Sequence, residues 1–218
     1  MARPDPATVV FVDYDGTITD RDTLDVLVQR AAGDAAWGAI ETKLKRGELS
    51  LRETLAQQAA LVRCSLDEAD AHLRATVAFD PSFGGFVAAC AARGIPVHIV
   101  SSGVAPLIRR RLEHNGLGHL TLVANDVDPH PEGWRLRFRD DACANGTDKH
   151  ALVRAAQAGG QTVVYIGDGI SDYDAAKAAD RRFVKTGRSL HRHLSELGVS
   201  FVAFERFAEI DPAMLDAA

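Results

Sequence analysis

The feature that most limits what this chain can fold into is a short apolar run that ends abruptly in carboxylates. Val9-Val10-Phe11-Val12 is followed at once by Asp13-Tyr14-Asp15-Gly16-Thr17. A β-branched and aromatic run of this kind reads as a strand buried on both faces, as in parallel sheets. Two carboxylates two residues apart, where such a strand gives way to a loop, suit paired chemistry: one can attack while the other handles protons. Gly16 permits a tight turn, and the Thr17 hydroxyl can orient a carboxylate. A capped strand-to-loop turn uses the same residue types, so the motif acquires meaning only from what accompanies it.

Similar runs recur at 95–100, 120–124 and 162–166. The first of these is expected to stop at Ser101-Ser102-Gly103 and the last at Gly167-Asp168-Gly169. Helical apolar spacing over 104–114 and 151–158 separates the strands. Alternating strand and helix predicts a doubly wound, Rossmann-like α/β core with a parallel sheet, whose ligands gather outside the carboxyl ends of the strands. Residues 21–78 break the alternation and carry spacings such as Leu51, Leu55, Ala59 and Val62. They are expected to form a cap of three or four helices inserted into a core made of 1–20 and 79–218. Pro-His-Pro-Glu-Gly within 126–138 predicts a short β-hairpin flap.

With 218 residues, 46% of them hydrophobic and 25% charged, the chain has the composition of a globular protein able to build one sizeable core and a smaller module. A formal charge of −5 provides no footprint for nucleic acid or an anionic membrane. An anionic substrate would need locally placed cations. Three widely spaced cysteines, Cys64, Cys90 and Cys143, give neither a disulfide framework nor a zinc signature and fit a reducing cytosol. No apolar run precedes residue 8 in the Met1–Ala7 stretch, so a cytoplasmic location is expected. His191 and His193 lack a third ligand nearby in sequence and read as surface residues.

Taken together, Asp13-Tyr14-Asp15-Gly16-Thr17, Ser101, Lys149, and Asp168 with Asp172 appear in an order that resembles the haloacid dehalogenase superfamily. The resemblance implies a phosphohydrolase using Mg²⁺. Asp13 would be the nucleophile and form an aspartyl-phosphate, with Asp15 as general acid and then general base. Ser101, Ser102 and Lys149 would bind the phosphoryl oxygens. The Asp13 carboxylate, the Asp15 backbone carbonyl and the Asp168 carboxylate would hold the metal, with Thr17 and Asp172 in support. Physical reasoning points the same way, because hydrolysis of a phosphate monoester demands neutralised phosphoryl oxygens and an aligned nucleophile. Read alone, Ser101-Ser102-Gly103 is equally suited to capping the next helix.

The helical insertion resembles the branch that contains phosphoserine phosphatase and the methionine-salvage phosphatase for a methylthiopentenyl phosphate. Two cap residues are candidates for specificity. Asp22 stands where phosphoserine phosphatases generally carry Glu, although it is equally suited to capping the first cap helix. Gln58 stands where they carry an arginine for the substrate carboxylate, and glutamine cannot form a charged bidentate clamp. A keto-pentenyl phosphate of the methionine-salvage type is thus the first expectation. Phosphoserine hydrolysis, transfer of the phosphoryl group to an alcohol such as homoserine, and non-catalytic binding of a phosphometabolite are the alternatives.

Overall fold

The computed structural model describes residues 7–216; the Met1–Pro6 part of the N-terminal stretch considered above lies outside them. In chain order the first half comprises β1 (Thr8–Val12), α1 (Thr23–Lys45), α2 (Leu51–Ala59), α3 (Leu66–Thr76), α4 (Phe83–Ala92), β2 (Val97–Val104) and α5 (Ala105–His114). The second half comprises β3 (Thr121–Asp128), β4 (Arg135–Arg137), α6 (Lys149–Ala158), β5 (Thr162–Gly167), α7 (Tyr173–Ala178), β6 (Arg181–Lys185), α8 (Ser189–Glu196), β7 (Val202–Phe204) and α9 (Ala213–Asp216).

The strands form one sheet in the order β4-β3-β2-β1-β5-β6-β7. From β2 through β7 the pairs are parallel, and β3 pairs with β4 antiparallel. This is the doubly wound α/β arrangement that the alternation of elements predicts. Central strands β1 and β5 are buried over nearly their whole length, which their valine-rich sequences allow. Their ladder runs from Thr8↔Thr162 to Val12↔Ile166, so both strands end level with each other. That level end brings the Asp13 turn and the Gly167-Asp168-Gly169 turn to one rim.

Two compact units emerge from the contacts. One contains the residues up to Ile18, Asp80–Val100 and those from Lys149 onward; the other contains Thr19–Phe79 and Ser101–Asp148. The inserted helices thus share a unit with 101–148, a grouping that the simple division at 20/21 and 78/79 does not include.

Within the second unit the insertion is helical throughout. Ser50 and Ser65 start α2 and α3 with reciprocal capping boxes to Glu53 and Glu68. Helix α1 is two segments joined at Gly33, whose φ of 80° no helical residue adopts. The hairpin forms as expected, with Asp126↔Arg137 and Asp128↔Arg135 in register. Its tip is fixed: Trp134 is buried, its backbone N–H donates to the Val62 carbonyl at 2.9 Å, and its Nε1 donates to the Cys64 carbonyl at 2.7 Å. Leu24, Leu27, Leu55 and Val127 belong to the same apolar cluster.

Two expectations are corrected. Strand β2 runs on to Val104, so Ser101-Ser102-Gly103 are strand residues and do not end it. Helix α5 then starts at Ala105 with Pro106 in its first turn and without a side-chain cap, so the serines are not capping residues. Trp134→Ala should cost the second unit about 3–5 kcal/mol, because it removes a large buried side chain and its hydrogen bond. Urea titration followed by circular dichroism measures this; a loss under about 1 kcal/mol would show that the hairpin tip contributes little.

Candidate active site

The Asp13 turn is built by backbone constraints before any chemistry is considered. The Asp13 N–H donates to the Ile166 carbonyl at 2.8 Å, extending the β1–β5 ladder by one residue. The Thr17 and Ile18 N–H groups then fold back onto the Tyr14 carbonyl at 3.3 and 2.9 Å. Gly16 closes the turn at φ 75°, where a side chain is strained. It is required for a second reason: a Cβ at Gly16 would lie 2.3 Å from Oδ2 of Asp168, so the missing side chain is what admits that carboxylate.

Three segments of the first unit converge here: the Asp13 turn, the start of α6 and the stretch from Tyr165 to Asp172. Lys149 opens α6 and is 2% exposed. Its ammonium donates to Asp13 Oδ1 at 2.6 Å, to Asp172 Oδ1 at 2.7 Å and to Ser171 Oγ at 2.9 Å, which uses all three of its hydrogens. The Asp172 carboxylate also accepts from the Tyr165 hydroxyl at 2.6 Å and from the N–H groups of Asp168 and Gly169 at 3.0 and 2.9 Å. Asp172 therefore has four donors that fix its carboxylate in place. Thr17 Oγ1 lies 3.3 Å from Asp168 Oδ1 and 3.5 Å from Asp13 Oδ2, bridging the two carboxylates as its sequence position suggests.

The electrostatics follow from three carboxylates around one buried ammonium, with the Arg188 guanidinium also acting on Asp168. Burial pushes the Asp13 carboxyl up and the Asp172 charge adds to this; Lys149 opposes both, and the outcome is about 8. Burial, Asp13 and Asp172 likewise hold Asp168 well above the carboxylate range. Burial alone would lower the Lys149 ammonium, but the Asp13 and Asp172 carboxylates outweigh it and push Lys149 up. This cluster is short of positive charge.

A cation fits that deficit. Asp13, Asp168 and Asp172 each offer an oxygen within 4.8 Å of the others, the one such group among the described residues. Asp172 is committed to its four donors, so Asp13 and Asp168 are the residues with oxygens to spare. Hard oxygen donors of this kind suit Mg²⁺.

Of the other predicted residues, Ser101, Ser102, Asp22 and Gln58 lie in the second unit and Asp15 in the first. Ser101 is fully buried, and its Oγ accepts from the Gly103 N–H at 2.9 Å. The buried Ser102 Oγ has no partner among the described residues, while its carbonyl accepts from Asn125 Nδ2 at 2.7 Å. Asn125 in turn accepts from Thr147 Oγ1 at 3.1 Å and from the Arg139 N–H at 3.0 Å. Asp22 caps α1, its Oδ1 accepting from the Asp25 N–H at 3.0 Å. Gln58 is buried, and its Nε2 donates to Asp25 Oδ1 at 2.9 Å and Glu41 Oε1 at 3.2 Å. Arg52 is occupied by the Asp140 carbonyl and by the Phe138 ring. His193 stacks on Tyr173, with ring centroids 3.8 Å apart. Asp15 lies half-buried in the turn after Asp13. Tyr165, Ser171 and Asn125 are participants that the sequence did not single out.

The family described as haloacid dehalogenase-like hydrolase matches residues 10–177. This chain belongs to that family. Several named proteins of similar length resemble it. It is 36% identical to Pdp3-interacting factor 1 of Schizosaccharomyces pombe, over 92% of each chain. It is 32% identical to 2-hydroxy-3-keto-5-methylthiopentenyl-1-phosphate phosphatase of Geobacillus kaustophilus, over 94% of each. It is 29% identical to polyol phosphate phosphatase PYP1 of Saccharomyces cerevisiae, over 94% of this chain and 92% of that one. A solved structure of a phospho-aspartyl intermediate analogue of phosphoserine phosphatase superposes with a TM-score of 0.70 at 17% identity, covering 92% of this chain and 94% of that one, which shows a shared fold. The chain is thus a haloacid dehalogenase-like hydrolase whose named relatives include phosphatases. No helix among the described residues is long and apolar enough to cross a membrane.

The raised Asp13 carboxyl has a signed consequence. Its folded value of about 8 lies above its ordinary 3.8, so its contribution to stability is fully present below pH 3.8 and is lost as pH rises toward 8. Asp13→Asn removes that loss. Measured without divalent metal, the Tm of the variant minus that of the wild type should climb between about pH 4 and pH 8; a difference that stays flat would contradict the buried-charge account.

Proposed function

We propose that this protein is a Mg²⁺-dependent phosphomonoesterase acting on a small phosphorylated metabolite through an aspartyl-phosphate on Asp13. The observation that carries the reading is the Lys149 ammonium locked between Asp13 and Asp172 with every hydrogen used. Such a group fixes the orientation of one carboxylate and supplies a permanent positive charge beside it, as attack on a phosphoryl group requires.

Asp13 attacks phosphorus as the bond to the leaving oxygen breaks, and Asp15 delivers a proton to that oxygen. Asp15 then takes a proton from water as the water oxygen attacks phosphorus and the bond to Asp13 breaks. Asp13 is restored as a carboxylate and inorganic phosphate departs. Lys149, with Ser101 and Ser102, balances charge on the phosphoryl oxygens, and Thr17 keeps Asp13 and Asp168 in place. Asp13 and Asp168, with the Asp15 carbonyl, would hold Mg²⁺, which when bound neutralises phosphoryl charge and aligns the ester. Asp172 supports the site by holding Lys149.

Gln58 bears on the substrate. Its amide is already committed to Asp25 and Glu41, so Gln58 lies among carboxylates and offers no cation to clamp a substrate carboxylate. We therefore assign a leaving group without a carboxylate, which favours a keto-pentenyl phosphate over phosphoserine. Polyol phosphates satisfy the same condition, and the 29%-identical yeast relative carries that substrate class in its name. Three free cysteines support a reducing compartment such as the cytoplasm.

Phosphate release from a panel of phosphomonoesters, with Mg²⁺ and with EDTA, tests the reading. Activity should require the metal and favour carboxylate-free esters over phosphoserine by about tenfold or more in kcat/KM. Asp15→Asn should lower kcat by about 10²-fold or more. Full turnover in EDTA, or a preference for phosphoserine, would overturn the corresponding part of the assignment.

A further inference from the structure

Tyr165 is a fully buried phenol whose hydroxyl points into the charged cluster and not into the apolar core. On β5 it pairs with Phe11 of β1, and Asp13 follows Phe11 by two residues. Strand alternation therefore places Tyr165 and Asp13 on the same face. Gly167, two residues after Tyr165, has no side chain in the way. A Cβ there would lie 2.6 Å from Asp172 Oδ2 and 3.0 Å from the Tyr165 ring. The strand end is shaped so that ring, carboxylate and ammonium can interlock.

Asp172 Oδ1 is the shared point. It accepts from Tyr165 at 2.6 Å and from Lys149 at 2.7 Å, while Lys149 reaches Asp13 at 2.6 Å on its other side. The two carboxylates thus compete for one ammonium. A hydroxyl donated to one of them draws off part of its charge and weakens it as a competitor. We propose that Tyr165 is a positioning residue, whose hydroxyl on Asp172 keeps the charge of Lys149 directed at Asp13 and at the phosphoryl group that Asp13 receives. Without it Asp172 Oδ1 has Lys149 as its sole hydrogen-bond donor and holds it harder. Tyr165 touches neither Asp13 nor Lys149 through a hydrogen bond of its own, so it acts through Asp172. This role rests on the phosphatase reading above.

Tyr165→Phe keeps the ring and removes the oxygen. With the best ester of the panel, kcat should fall about tenfold while KM changes less than about twofold, because the loss falls on transition-state charge and not on substrate binding. In an Asp172→Asn background the same substitution should change kcat by less than about twofold, since the oxygen through which it acts has lost its charge. Incorporating 3-fluorotyrosine at position 165, which retains the hydroxyl, should restore kcat to near the wild-type value whether or not Asp172→Asn folds. The role is overturned if Tyr165→Phe leaves kcat unchanged, if its effect persists in full in the Asp172→Asn protein, or if 3-fluorotyrosine behaves like phenylalanine. Wild-type protein that releases phosphate from no ester would instead overturn the phosphatase reading, and the role of Tyr165 with it.

Discussion

Everything at this site depends on keeping three carboxylates and one ammonium together away from water. Asp13 is 4% exposed, Lys149 2% and Asp172 fully buried. An isolated buried charge is very costly, so such a cluster survives only if each member is paired and hydrogen-bonded. Asp172 and Lys149 meet that demand entirely within the protein. Asp13 shares Lys149 with Asp172, and the Asp13 and Asp168 carboxyls are held up first by burial and then by the neighbouring carboxylates. The fold balances part of this charge itself and leaves the rest to a cation. A site built this way is stabilised by the cation it binds.

The architecture can be understood as the means to that end. Parallel strands β1 and β5 end level, which brings two turns from distant parts of the sequence to one rim. Two glycines, Gly16 and Gly167, stand where any side chain would displace Asp168 or Asp172. Lys149 opens its helix with its side chain directed into the cluster, and the preceding loop is held by Asn125 through Thr147. In the second unit, the hairpin anchored by Trp134 and the capped helices α2 and α3 form a packed body of their own.

How much of this was legible depends on the range of the interaction involved. Strands β1 and β5 and the Asp13, Lys149, Asp168 and Asp172 set are local patterns: valine runs followed by carboxylates and glycines at fixed spacing. Strands β6 and β7 are not legible, because Arg181–Lys185 begins with two arginines and Val202–Phe204 is three residues long. Ser101-Ser102-Gly103 was misread as a stop, since those residue types favour loops and only the pairing partners carry the strand onward. Tyr165 looked like one more apolar strand residue. Its hydroxyl matters only because Asp172 arrives from another segment, which no spacing within β5 can announce. Gln58 is singled out by resemblance alone, and its partners Asp25 and Glu41 come from helix α1, which no spacing around position 58 announces.

The central claim is that Asp13 carries the phosphoryl group. The most direct test is to mix enzyme with a turning-over phosphomonoester and Mg²⁺, quench in acid, reduce with borohydride and map the peptides by mass spectrometry. An acyl phosphate is reduced to the alcohol, so the account predicts homoserine at position 13, only when substrate is present and not in Asp13→Asn. Intact aspartate at position 13 during steady turnover, or trapped label on any other residue, would contradict it.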